Sequence, residues 1–97
     1  MEREEYVERV LRTVERVPSG RVTTYGAIAG HLGVGGPRQV GQAMALHGGL
    51  VPWWRVVRAD GSLPPSNADE ARQQHLAEGT PLRQSGRVDL REAYWQP

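Results

Sequence analysis

The sequence contains no cysteine, no lysine and no phenylalanine. Without cysteine there is no disulfide, no thiolate nucleophile and no zinc site built on thiolates. The three histidines are scattered, their spacing suggests no metal site, and no cofactor is expected. No run approaches the roughly 18 apolar residues that a membrane-spanning helix needs. The charged, Glu-rich N-terminus is unlike a signal peptide, so the expectation is a soluble cytoplasmic protein with no membrane partner. At 97 residues the chain fits one domain, spanning 1–97. A domain of this size buries only about 60–65% of its unfolded surface. It has room for one core and one site, not for separate substrate and cofactor domains.

A further absence is local. The net charge is only +1, but the charges are segregated. Residues 1–16 carry four Arg and five Glu, and residues 60–97 carry four Arg and six acids. Residues 17–59 carry Arg21, Arg38, Arg55 and Arg58 and no acid at all. Even spreading of the 11 acids would put about five in that stretch. A surface facing a polyanion has a physical reason to exclude carboxylates, since each would repel phosphate.

The apolar pattern is mainly helical. Val7, Val10, Leu11, Val14 and Val17 share one helical face, which predicts a helix over Glu4–Val17. Pro18-Ser19-Gly20 stops it, and Arg21–Thr24 reads as a short, edge-like extended piece. Thr24 is placed to N-cap a helix over Tyr25–Leu32 with Ile28 and Leu32 inward. Gly33 ends it, Gly35-Gly36 make a turn, and Pro37 opens a third helix to about Leu46, with Val40, Ala43, Met44 and His47 on its inner side. Two short helices joined by a Gly-rich turn form a helix-turn-helix pattern, with Pro37–Leu46 as candidate recognition helix. Its outward side carries Arg38, Gln39, Gly41 and Gln42. Gly41 costs about 1 kcal/mol in a helix interior. Close approach of the backbone to a partner, or a tight helix contact inside the protein, would each account for it.

Further on, Arg55–Arg58 reads as a short strand, and Ala68–Glu78 as a helix capped by Ser66 or Asn67, with Asp69 or Glu70 as the reciprocal acid. Gly79 ends it, and Val88–Leu90 with Tyr94-Trp95 make a small C-terminal element. The expected class is mostly α with small β elements, a winged helix-turn-helix domain. Pro52-Trp53-Trp54-Arg55 is the most unusual segment. In an extended chain adjacent Trp side chains point to opposite sides, so one fills the core and the other a surface or pocket. An exposed Trp near Arg is a stacking platform for a nucleobase.

Four ordered blocks now carry a resemblance: Gly20–Gly26 (GRVTTYG), Pro37–Met44 (PRQVGQAM), Pro52–Val56 (PWWRV) and Leu76–Gly79 (LAEG). Together they resemble the DNA-binding domain of the O6-alkylguanine-DNA alkyltransferases over nearly the whole chain. In those enzymes the third block is Pro-Cys-His-Arg-Val and the Cys takes the alkyl group. Trp53 stands at the Cys position and Trp54 at the His position, which resembles the non-enzymatic alkyltransferase-like subfamily. The resemblance implies binding of duplex DNA through the minor groove, with Gly41 permitting close approach and Gln39 and Gln42 on the DNA-facing side. Arg38 matches the arginine that fills the gap left by a flipped nucleotide, and Tyr25 the tyrosine that presses on the 3′ phosphate. O6-alkylguanine would enter a pocket walled by Trp53, with Pro52, Ser66 and the Leu63–Asn67 loop around it and Arg58 or Arg55 to polarise contacts to the base. Arg55 in the family mostly supports the active-site loop. Glu78 matches the acid that orients the enzymes' His. With Trp54 in that place, Glu78 is expected to have lost its partner and to be a structural helix-end residue. The implied protein is a monomer in a bacterial cytoplasm that flags lesions for nucleotide excision repair proteins.

Three other functions compete with this one. An active alkyltransferase fails for want of a thiolate acceptor. A sequence-specific winged-helix transcription regulator would use Gln39 and Gln42 but leaves Trp53-Trp54 unexplained. A protein-interaction module would use the Trp pair as a hot spot.

Overall fold

The computed structural model describes residues 2–97. Five helices, α1 (Arg3–Arg16), α2 (Tyr25–Leu32), α3 (Pro37–His47), α4 (Ala68–Glu78) and α5 (Leu90–Ala93), surround a two-stranded parallel sheet of β1 (Thr23–Thr24) and β2 (Val56–Val57). The register pairs Thr23 with Val56 and Thr24 with Val57. This is a mostly helical, winged-helix-like arrangement.

The first helix begins one residue earlier than its pattern predicts. Val17 adopts an extended conformation and only caps the helix, its N–H bonded to Val14 O. Val10 and Val14 are fully buried on its inner face. The Thr24 hydroxyl caps α2, accepting from Ala27 N–H at 3.0 Å. Between α2 and α3 the chain turns at Gly35, at φ +74° with the Tyr6 ring packed against it. A Cβ there would meet the Tyr6 hydroxyl at 2.6 Å, so this position needs glycine for both conformation and space.

The core divides into two clusters. Val10, Val14, Ile28, Ala29, Val40, Ala43, Val51 and Val56 fill the space between α1, α2 and α3. Val22, Val57, Val88 and Ala93 fill a smaller one under the C-terminal segment. Successive strand residues face opposite sides, so Val56 enters one cluster and Val57 the other. β2 therefore ties the helix-turn-helix to the C-terminal half.

Several local expectations are corrected. Arg21–Thr24 is not an edge. Val22 and Thr23 are fully buried, because the C-terminal chain returns beside them: Val22 bridges Tyr94, and its carbonyl accepts from Trp95 N–H at 2.7 Å. The strand expected over 55–58 is only Val56–Val57. Arg55 belongs to a 3-10 turn over Trp53–Arg55, its N–H turned back to Pro52 O. Neither Ser66 nor Asn67 caps α4 with its side chain; a 3-10 turn over Pro65–Asn67 leads into the helix. His47 closes α3 but is exposed.

Candidate nucleic-acid interface

The starts of α2 and α3 meet at one cavity through Tyr25, Pro37, Arg38 and Gly41. Pro37 opens α3, and Gln39 Oε1 accepts from Gly36 N–H at 2.9 Å, so this side chain completes the helix start. Arg38 and Arg58 are exposed and make no ion pair among the described residues. Together with Tyr25, Pro37, Gly41, Pro64 and Pro65 they border a cavity of about 360 Å³. Burial pushes the Tyr25 hydroxyl above its ordinary pKa, and Arg58 offsets part of that rise. Nothing lies within 4 Å of the Cβ that Gly41 lacks. The intramolecular explanation for Gly41, a tight helix contact, is therefore removed.

Beside this cavity lies a second one of about 260 Å³, sharing Tyr25, Gly41 and Pro64 as a common rim. Met44 and Ala45 come to it from the end of α3, Gly48 and Gly49 from the 3-10 turn that follows, Trp53 from the 3-10 turn over Trp53–Arg55, and Ser66 and Asn67 from the turn before α4. Its volume is near the lower end of small-molecule sites, which run from about 300 Å³ upward. The sequence-predicted residues thus divide. Trp53 and Ser66 line this pocket, whereas Pro52 and Arg58 do not; Arg58 borders the Arg38 cavity instead. Pro52 is half-buried at the start of the 3-10 turn. Gln39 and Gln42 lie on the other side of α3, along a groove shared with Arg3, Tyr6 and Val7 of α1. The helix-end residues Met44, Ala45, Gly48 and Gly49 were missed as pocket walls. Apolar spacing assigned Met44 to the core, where it also packs. Gly48-Gly49 was readable only as a helix stop.

The two tryptophans diverge, but not through an extended strand. Their rings meet edge to face at 84° with centroids 5.7 Å apart, and both are half-buried. Trp53 turns to the pocket while Trp54 turns to α4, its indole N–H donating to Glu78 Oε2 at 3.0 Å. This overturns the expectation that Glu78 has lost its partner at position 54, because an indole N–H can donate where an imidazole would. Glu78 also accepts from Arg55 through Nε at 3.1 Å and through Nη2, and from Gly20 N–H at 3.1 Å. Arg55 in turn donates to Val17 O at 3.0 Å, and its guanidinium lies 5.5 Å from the Trp54 ring centre. Burial alone would raise the Glu78 pKa. The donors from Arg55, Gly20 and Trp54 outweigh it and hold the carboxyl below its ordinary value.

The sequence of residues 5–79 matches the family model described as 6-O-methylguanine DNA methyltransferase, DNA binding domain. The chain belongs to that family. It is similar to the DNA base-flipping protein of Escherichia coli K12, 38% identical over 101 residues covering 98% of this chain and 78% of the relative. Alkyltransferase-like protein 1 of Schizosaccharomyces pombe is 36% identical over 108 residues, covering all of both chains. A crystal structure of S. pombe Atl1 in complex with damaged DNA containing O6-carboxymethylguanine superposes with a TM-score of 0.87 at 32% identity over the full length of both chains. The alkyltransferase fold is thus present here in a chain with no cysteine anywhere.

Proposed function

We propose that this protein is a non-enzymatic sensor of alkylated DNA that rotates O6-alkylguanine out of the duplex and holds it against Trp53. The observation that carries the reading is the position of Trp53. It forms one wall of a base-sized pocket whose rim, at Tyr25 and Gly41, is shared with the Arg38 cavity. A nucleotide leaving the stack beside Arg38 has a short path into that pocket. Extruding a base costs a few kcal/mol, and less for a weakened pair. Stacking on an aromatic face returns about 1–3 kcal/mol per base. Lesion preference then has two sources, cheaper extrusion and apolar room beside Met44 and Ala45.

In this reading α3 enters the minor groove, where a small residue at Gly41 permits close approach. Arg38 fills the gap in the stack, Tyr25 presses on the flanking phosphate, and Gln39 and Gln42 meet the backbone alongside. Arg58 attracts phosphate from the rim. Ser66 borders the base, and Pro52 sets the turn that presents Trp53. With no thiolate to accept the alkyl group the protein marks the lesion and leaves removal to nucleotide excision repair proteins, acting as a monomer in the cytoplasm where the chromosome lies. The relatives named for base flipping and the Atl1 complex with damaged DNA support the reading.

The test is binding to matched duplexes containing guanine or O6-methylguanine, followed by tryptophan fluorescence. Tighter binding of the methylated duplex is expected, and equal affinity overturns the reading. Incubation with a duplex radiolabelled on the methyl group is expected to leave the protein unlabelled; a labelled protein would make it an enzyme.

A further inference from the structure

His75 lies on α4 with no solvent exposure. It is the one fully buried histidine of the described residues and touches no part of the pocket surface itself. Its Nδ1 is 2.9 Å from the Thr80 hydroxyl and its Nε2 is 2.8 Å from the carbonyl oxygen of Trp54. A carbonyl only accepts, so Nε2 must carry the proton and donate. The Thr80 hydroxyl then donates to the unprotonated Nδ1. Burial lowers the histidine's pKa, with Arg55 adding to that effect; Trp54 O and the Glu78 carboxylate, the other groups facing it, oppose it.

The Trp54 carbonyl sits in the middle of the 3-10 turn that presents Trp53. The turn's own backbone bonds use Pro52 O, taken by Arg55 N–H, and Trp53 O, taken by Val56 N–H. The Trp54 carbonyl is anchored instead from outside the turn, by His75. The Trp54 indole is anchored by Glu78, one helical turn further along α4. The two bonds grip residue 54 at backbone and side chain, and so set the direction of the residue immediately before it.

We infer that His75 is a positioning residue for lesion recognition, whose Nε2–H holds the Trp53–Arg55 turn so that the Trp53 ring stands as the pocket wall. It acts through the Trp54 carbonyl and touches neither base nor phosphate. The inference rests on the reading of Trp53 as the wall of the lesion pocket.

Two measurements on the full chain test it. Nitrogen NMR of the wild-type imidazole at neutral pH is expected to show the neutral form protonated at Nε2; a ring protonated at Nδ1 would overturn the inference. Second, the ratio of affinities for O6-methylguanine and guanine duplexes is compared across variants. His75→Leu keeps the volume and removes the donor, and is expected to lower the ratio about five- to tenfold, the range of one net hydrogen bond. His75→Gln places an amide donor near the Nε2 position and is expected to recover most of the ratio, which a purely packing role would not produce. A wild-type ratio in folded His75→Leu overturns the inference. Should His75→Leu fail to fold, His75→Asn carries the test. Its shorter amide stands near the Nδ1 position beside Thr80 and leaves the Trp54 carbonyl without its donor, and an unchanged ratio overturns the inference. If the wild type itself shows no preference, the proposed function fails instead.

Discussion

At the scale of single residues, the division of labour between Arg38 and Trp53 makes separable predictions. Arg38 is exposed and unpaired on the face that would meet the duplex. Arg38→Ala is expected to weaken binding of plain and alkylated duplexes alike, by roughly tenfold or more, as measured by anisotropy of a labelled duplex. Trp53→Ala is expected to lower the preference for the alkylated duplex by about 1–3 kcal/mol, the worth of one stacked base, while plain-duplex affinity changes little. A parallel loss on both duplexes would contradict that assignment. Two titratable groups, fully buried His75 and half-buried Glu78, shape the pH dependence of stability. His75 is held neutral, so the unfolded chain binds a proton more readily as the pH falls below the histidine's ordinary value of 6.5. Glu78 is held ionised, so its contribution is present above the ordinary carboxyl value of 4.5 and is lost as the pH falls through its lower folded-state value. Urea unfolding across this range should show stability declining in two stages, and Glu78→Gln should flatten the more acidic one.

At the scale of elements, α3 carries the sharpest test. Gly41 has open space where its Cβ would be, so Gly41→Ala is expected to stabilise the free protein by about 0.5–1 kcal/mol, seen as a raised Tm, and to weaken duplex binding. A variant that is stabilised and binds normally would remove the close-approach role. The helices themselves were legible because apolar spacing and caps act locally: Val10 and Val14 on α1, the Thr24 cap on α2, and Pro37 opening α3. The short elements were not. The turn over Trp53–Arg55 and the turn over Pro65–Asn67 depend on single backbone bonds and on contacts with α4, which no local pattern encodes. That is why the local pattern extends the strand to Arg55 and offers Ser66 and Asn67 only as caps, whereas their place beside the pocket follows from the family resemblance.

At the scale of the whole molecule, the near-neutral charge conceals a cationic stretch with acidic flanks. Arg58, on the rim beside Arg38 rather than in the base pocket, belongs to this electrostatic footprint. Arg58→Gln is expected to reduce the slope of log affinity against log salt by about one without changing lesion preference. An altered preference would return Arg58 to the pocket. The sequence by itself determined the chemistry that is missing and the chemistry that remains. A chain with no cysteine has no thiolate to offer as an acceptor, and one with four arginines and no acid over 43 residues carries only cationic side-chain charge there. The ordered blocks around Tyr25, Arg38 and Trp53 were likewise enough to indicate the family. Only the tertiary structure decided which side chains meet. Glu78 is paired with Trp54 and Arg55 over more than twenty residues of chain, His75 reaches the carbonyl of Trp54, and Met44 and Ala45 of α3 with Gly48 and Gly49 beyond it supply part of the pocket wall. The reason is physical: composition and charge act without regard to partner, whereas a hydrogen bond or a cavity wall needs two distant segments brought within a few ångströms, and only the packed core sets that distance.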